Sequence, residues 1–200
     1  MRRRRGSAAA DDAAVIESSW REPERFAVLF DRHAPHIYRY LARRAGRQVA
    51  DDLVAETFLA AFAKRDRYDL GHADARPWLY GIATNLVGQH RRDEARQYRI
   101  RQAAVAEPEV PGHAERVAAH VTAQAMRTLL AEALATLSAG DRDVLLLIAW
   151  EQLTYQEVSR ALAIPVGTVQ SRLHRARTKV RQVLAGADAG ATYEEITTNE

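Results

Sequence analysis

Apolar residues recur every three or four positions along most of this chain, and alternating runs bounded by turn pairs, the mark of strands, are missing. In "FAVLFDRHAPHIYRYLARRAG", Phe26, Leu29, Phe30, Ile37 and Leu41 fall on one helical face and are the core candidates. In "VADDLVAETFLAAFAKR" the inward stripe is Leu53, Val54, Thr57 and Ala61. A third helix is predicted from Pro77, with Leu79, Ile82, Ala83 and Leu86 pointing inward. Further along, "LSAGDRDVLLLIAWE" opens on a capping box, Ser138 with Asp141, and continues as a strongly apolar helix. A second capping box, Thr154 with Glu157, places a helix start at about Tyr155, with Val158, Ala161 and Leu162 as its apolar face. Ile164-Pro165-Val166-Gly167 breaks it, because Pro165 cannot continue a helix but suits the first turn of the next. The last helix then buries Val169, Leu173, Ala176, Val180 and Leu184, with Val183 at the edge of the stripe. The pattern predicts an all-α protein.

Between the two groups of helices, "IRQAAVAEPEVPGHAERVAAHVTA" holds Pro108, Pro111 and Gly112, lacks aromatics and has no stable apolar stripe in its first half. That composition reads as a flexible linker. The expected organisation is a disordered N-terminus over 1–19, a first helical domain over 20–99 and a linker over 100–126. A second helical domain follows over 127–185, then a disordered tail over 186–200.

The second domain carries the clearer chemistry. Two short helices joined by a tight turn, the second basic outside and apolar inside, make a helix-turn-helix. Opposite the buried stripe of the last helix stand Ser171, His174, Arg175, Thr178 and Gln182. Arg172 and Lys179 flank one border of that stripe, and Arg177 and Arg181 the other. Short polar groups and one long fork in the middle, with cations on both shoulders, suit a helix in a DNA major groove. A charged surface helix has similar charge; the tandem of capped helices favours DNA.

Two outward faces stand out in the first domain. On the second helix, Asp52, Glu56, Leu59 and Ala63 lie diametrically opposite the core stripe, with Asp51 nearby. A leucine set among carboxylates is the composition of a contact for a basic protein partner, and also fits an ordinary acidic surface. On the third helix, Trp78, Asn85, Gln89 and Arg92 form an outward stripe, with Tyr80, Thr84 and Arg91 to one side. Rings, amides and arginines mixed on one face suit single-stranded nucleic acid, where bases stack and amides bond their edges.

Charge and composition narrow the classes further. The 29 Lys+Arg against 26 Asp+Glu leave a formal net charge of +3, and the only lysines are Lys64 and Lys179. Nearly all the positive charge is therefore arginine, which forks onto phosphate and guanine. Cysteine is absent, which excludes disulfides, thiolate metal sites and a cysteine nucleophile. No glycine-rich phosphate loop, nucleophile elbow or zinc pattern occurs. Asp51, Asp52 and Glu56, or His33 and His36 of "HAPH", could suggest a metal site, but a di-iron bundle needs Glu-x-x-His motifs and none is present. Neither metal nor cofactor is expected, and the chain does not read as an enzyme. No apolar run approaches the roughly 18 residues that cross a bilayer. The "SAAADDAAVIESS" after the basic start is too polar for a signal-peptide core. A cytoplasmic protein with no membrane insertion is expected.

Taken in order, "VADDLVAETFLAAFAKRDRYD", "ARPWLYGIATNLVGQHRR" and "LSAGDRDVLLLIAWEQLTYQEVSRALAIPVGTVQSRLHRAR" resemble the compact two-domain sigma factors of bacterial RNA polymerase, the extracytoplasmic-function (ECF) type of the sigma-70 family. The resemblance runs from about Phe26 to Leu184. It implies a first domain that grips core RNA polymerase and opens the downstream (minus-ten) promoter element, and a second that reads the upstream (minus-thirty-five) element as duplex. It also implies an anti-sigma protein as a further partner.

Residue by residue, the resemblance assigns Asp51, Asp52, Leu53, Glu56 and Phe58 to polymerase docking, and Leu59 joins them from the outward stripe. The loop Asp66–Asp74, with Tyr68, Leu70 and His72, corresponds to the segment that captures a base flipped from the non-template strand. Asn85 stands beside that pocket, and Trp78, Gln89 and Arg92 extend the single-strand surface. Gln170, Ser171, His174 and Arg175 correspond to positions that enter the upstream major groove, with Thr168, Arg172 and Lys179 toward phosphate. The chain departs from the family at Gly81, where members often carry a basic residue, and a second glycine, Gly88, lies on the same helix. Each weakens that helix by roughly 1 kcal/mol relative to alanine. A free-standing helix-turn-helix regulator is the alternative; such regulators bind two half-sites as dimers, and this sequence shows no heptad or dimer face.

Overall fold

The computed structural model describes residues 11–104 and 121–197. The basic start of the chain, the proline-containing centre of the expected linker and the last three positions lie outside the described residues. Among them are eight α-helices: α1 (Asp12–Ser18), α2 (Ala27–Ala45), α3 (Arg47–Ala63), α4 (Arg76–Ala104), α5 (Val121–Ala135), α6 (Ala139–Ala149), α7 (Tyr155–Leu162) and α8 (Val166–Thr197). Short 3-10 turns cover Pro23–Phe26 and Arg65–Arg67, and no strand occurs among the described residues. The protein is all-α. It divides into two compact units, Met1–Arg96 with Gln156–Ala163, and Gln97–Tyr155 with Ile164–Glu200.

In the first unit, α2 and α3 pack on each other across a single linking residue, Gly46, whose φ of +90° a side chain would strain. Leu29, Ile37 and Leu41 of α2 meet Ala50, Leu53, Val54, Phe58 and Ala61 of α3 in the core, and Leu79, Ala83 and Val87 of α4 are buried with them. Phe30, expected inside, is 43% exposed and turns its ring onto the edge of Phe58, 4.8 Å between centroids. Tyr80 and Thr84 are buried rather than outward. The Tyr80 ring meets Tyr40 at 5.3 Å, and the Tyr40 and Thr84 hydroxyls share a hydrogen bond of 2.7 Å. Arg91 likewise turns back to the Arg44 carbonyl. The reason is that Tyr40 and Arg44 of α2 reach α4 at the edge of its apolar stripe, so the polar positions there become internal and must pair.

The N-terminal segment differs from its expected disorder. Asp12–Ser18 is helical, capped by the Asp11 side chain accepting from the Ala13 amide at 3.0 Å. Ala13, Val15 and Ile16 are buried, and burying a side chain such as Ile16 stabilises by about 1.5–3 kcal/mol. Its acidic look misleads because Asp12 is itself buried and paired.

In the second unit, α8 packs on both α5 and α6. Ala133, Leu137, Val144, Leu146, Leu147, Val169, Leu173 and Ala176 form the core. Ser138 caps α6 as expected, its hydroxyl accepting from the Asp141 amide at 3.2 Å. The Pro165 carbonyl accepts the amides of Thr168 and Val169 at 2.9 and 3.1 Å, which starts α8. The tail expected to be disordered from 186 continues α8 to Thr197; no proline interrupts it and alanine is the best helix former.

Between α7 and α8 the chain turns at Ala163, whose φ is +51°. A non-glycine residue there is disfavoured by about 1–2 kcal/mol, and glycine gives back about 0.5–1 kcal/mol in unfolded-state entropy. Ala163→Gly should therefore raise stability by up to about 1 kcal/mol in a urea melt, and Ala163→Val should lower it. A loss of stability in the glycine variant counts against the strain.

Candidate functional site

Three exposed surfaces carry the sequence-predicted site residues. The first is the outer face of α3, where Asp51, Asp52, Glu56 and Leu59 are exposed, Leu59 by 68%. Helical spacing places the leucine on the solvent side, with Glu56 one turn and Asp52 two turns before it. Leu53 and Phe58 do not belong to this surface: they are 4% and 5% exposed and pack in the core. Each lies one residue off the outward stripe, Leu53 beside Asp52 and Phe58 beside Leu59, and on a helix that step of about 100° rotates them inward.

The second surface joins the loop after α3 to the start of α4. Tyr68 is buried to 7% exposure, its ring 5.0 Å from that of half-buried Trp78, and its hydroxyl donates to the His72 carbonyl at 2.6 Å. Burial, then the charges of Asp12 and Asp74, push the Tyr68 phenol up, so it remains a donor. Tyr68 is thus the inner wall of the loop rather than an open stacking platform. Asp69 closes the turn, its carboxylate accepting from the Gly71 amide at 2.9 Å and its carbonyl from the His72 amide at 3.1 Å. Leu70 and His72 are half-exposed. Along α4, Asn85, Gln89 and Arg92 are exposed on the face that begins at Trp78. Gly81 and Gly88 leave α4 continuous.

The third surface is α8. Gln170, Ser171, His174, Arg175 and Lys179 are exposed, and Thr168 and Arg172 are half-buried. The Ser171 hydroxyl donates to the Thr168 carbonyl at 3.1 Å. Arg175 departs from the expected picture of a fork free to meet a base. Its Nη2 lies 2.9 Å from Asp141 Oδ1 and its Nε 3.4 Å from Oδ2. Arg172 lies on the same side: a Cβ added at Gly140 would stand 2.6 Å from its Nη1. Both guanidinium groups therefore cover the first turn of α6, where the buried Asp141 carboxylate attracts them. Burial alone would raise the Asp141 carboxyl, but the hydrogen bonds from Arg175 and Ser138 hold it below its ordinary value. The pair stabilises the fold above the unfolded carboxyl value and loses that contribution as pH falls through the lower folded one.

Three residues escaped the sequence reading: Asp12, Trp20 and Asp141. Asp141 was seen only as a cap, and no spacing along the chain signals that it meets Arg175. Asp12 and Trp20 lie in or beside a segment that looked unstructured.

Two small helical units, one with an exposed leucine among carboxylates on α3 and one with an arginine-rich outer face on α8, are the class that these surfaces define. Residues 29–97 match the family Sigma-70 region 2, and residues 127–180 match Sigma-70, region 4. The chain belongs to the sigma-70 family, among the ECF RNA polymerase sigma factors. It is 34% identical over 190 residues to the ECF RNA polymerase sigma factor SigE of Mycolicibacterium smegmatis, a match covering 89% of this chain and 65% of that protein. It is 32% identical over 178 residues to the ECF RNA polymerase sigma factor SigL of Mycobacterium tuberculosis, covering 88% and 93%. The chain thus spans a little under two thirds of SigE and nearly all of SigL. Among solved structures, CnrH in complex with the cytosolic domain of CnrY is similar in fold, with a TM-score of 0.61 at 24% identity over 88% of this chain and 99% of that one. RpoE in complex with the anti-sigma factor NepR, from Bartonella quintana, has a TM-score of 0.58 at 23% identity over 81% and 98%.

Proposed function

We propose that this protein binds core RNA polymerase and directs promoter-specific initiation. The domain over 20–99, extended at its start by α1, docks through α3 and melts the downstream element, and the domain over 127–185 reads the upstream element as duplex. The observation that carries this reading is the exposed leucine among carboxylates on α3, on the same chain as an α8 whose arginine-rich side is solvent-facing. Docking uses Asp51, Asp52, Glu56 and Leu59. Strand capture uses Leu70, His72, Trp78, Asn85, Gln89 and Arg92, with Tyr68 shaping the loop. Upstream recognition uses Thr168, Gln170, Ser171, Arg172, His174, Arg175 and Lys179. Both solved neighbours above are held by a partner protein, and an anti-sigma protein is the corresponding partner here. The protein works in the cytoplasm, by binding and without catalysing a reaction; no described helix is long and apolar enough to cross a membrane.

Purified protein mixed with sigma-free core polymerase and a genomic library tests this. Transcription starts that need both components support the reading. Duplex binding without any core-dependent start favours the free-standing regulator.

The Asp141 pair sharpens what upstream recognition requires. Arg175 must leave Asp141 to fork onto a guanine, so Asp141→Asn should tighten binding to every sequence by freeing a cation. Arg175→Ala should lose about 1–3 kcal/mol on the preferred element and relax the choice of base. Arg172→Ala should weaken all sequences alike and flatten the salt dependence. A binding series over single-base variants at two salt concentrations separates these outcomes. Uniform loss in the Arg175 variant means that it contacts phosphate, or serves only to hold α6.

A further inference from the structure

Ahead of the span matched to region 2 lies α1, seven residues long. Its first residue and the two residues that follow the helix reach the chain at the two ends of one loop, Asp66–Asp74. At the far end, the Asp12 amide donates to the Ala73 carbonyl at 3.1 Å, and the Ala75 amide donates to Asp12 Oδ2 at 2.9 Å. The chain is therefore gripped on both sides of Asp74. The same carboxylate takes His33 Nε2 at 2.8 Å and the Arg32 guanidinium from α2. His33 Nδ1 has no hydrogen-bond partner among the described residues, so the imidazole is oriented by Asp12. At the near end, Trp20 Nε1 donates to the Arg65 carbonyl at 3.2 Å, and Arg65 Nε donates to the Ser19 carbonyl at 3.4 Å.

The geometry points to a staple: Asp12 and Trp20 are positioning residues that hold Asp66–Asp74 in the shape that receives an unpaired base. Base choice at the downstream element then depends on a segment that need not touch DNA. The inference rests on the strand-capture reading above and adds to it a helix outside the matched span. A buried carboxylate is tolerated only when its lone pairs are satisfied, and here the satisfying groups belong to Ala75, directly after the loop, and to α2. Burial would raise the Asp12 carboxyl, but the hydrogen bonds from His33 and the Ala75 amide, with the neighbouring His33 and Arg32, hold it below its ordinary value. It is ionised at neutral pH and grips. A loop ordered before it meets the base loses less conformational freedom on binding, and the pocket can discriminate between bases by shape.

Holoenzyme reconstituted from sigma-free core with the wild-type chain, Asp12→Asn or Trp20→Phe tests the staple. Promoter opening is measured on duplexes carrying each base in turn at the non-template positions of the downstream element. Asparagine keeps the shape of Asp12 but not its charge, and phenylalanine keeps a ring while removing the indole donor. Both variants should bind core within about twofold of wild type, and the ratio between best and worst base should shrink roughly three- to tenfold, the effect of one hydrogen bond. A pre-melted promoter should restore their rate without restoring the preference. Slower opening with the wild-type base preference intact in both variants means that α1 only stabilises the domain, and overturns the proposal. If Asp12→Asn melts below the assay temperature, Trp20→Phe decides alone. A wild-type holoenzyme indifferent to the base at every downstream position overturns strand capture itself, and the staple with it.

Discussion

Asp52→Arg combined with Glu56→Arg should abolish binding to core polymerase while leaving helix content unchanged. Both side chains are exposed on α3, so reversing them removes no core contact and no described hydrogen bond. What changes is the sign of the face presented to a basic partner. Like charges brought together at an interface cost several kcal/mol, which lowers affinity by at least about a hundredfold. Leu59→Ala supplies a second arm, because a 68% exposed leucine contributes little to folding and its burial against a partner is worth about 1–2 kcal/mol. The structure also supplies a control: Phe58→Ala should destabilise the fold by about 3–5 kcal/mol through a core cavity. A pull-down alongside circular dichroism separates the three variants. Undiminished binding by the double reversal removes the docking assignment.

Asn85→Ala should slow promoter opening while closed-complex formation stays nearly intact. Extruding a base from the stack costs a few kcal/mol, and no motif for nucleotide hydrolysis is present, so binding must offset it. Losing one amide contact to the captured base should slow opening roughly threefold to thirtyfold. A promoter pre-melted by mismatches across the downstream element should recover much of that loss, because its base is already unstacked. Replacing Leu70-Gly71-His72 with alanines is a harsher test, since a Cβ at Gly71 would stand 3.1 Å from Asp69 Oδ1 and disturb the turn itself. Permanganate footprinting of unpaired thymines follows the step directly. Wild-type opening by the Asn85 variant moves strand capture onto Trp78, Gln89 and Arg92.

The outward stripe on α3 and the buried stripe on α8 were legible in the sequence because helical periodicity is a local property. Knowing the turn angle and the order of residues is enough to say that Asp52, Glu56 and Leu59 share a side. It is also enough to say that Val169, Leu173 and Ala176 share the opposite kind of side. Where periodicity and family resemblance disagreed, at Leu53, burial followed periodicity. Helix starts at Ser138 and Tyr155 were legible for the same reason, since a cap and its partner are three residues apart.

Other features depended on separations that no short window contains. The Ala75 amide that satisfies Asp12 lies 63 residues downstream, and the Arg65 carbonyl that receives Trp20 lies 45 residues away. Without those partners the segment before Trp20 reads as a polar, alanine-rich start; with them it is a helix seated in the domain. Arg175 and Asp141 are 34 residues apart, so a charge pattern identifies two solvated ions where folding makes one pair. The sequence by itself determined the helical class, the order of the elements and which face of each helix is apolar, all consequences of side-chain spacing along a rigid repeat. Only the tertiary structure decided which polar groups answer one another, because a hydrogen bond needs two atoms within about 3 Å and chain order does not say which helices will meet.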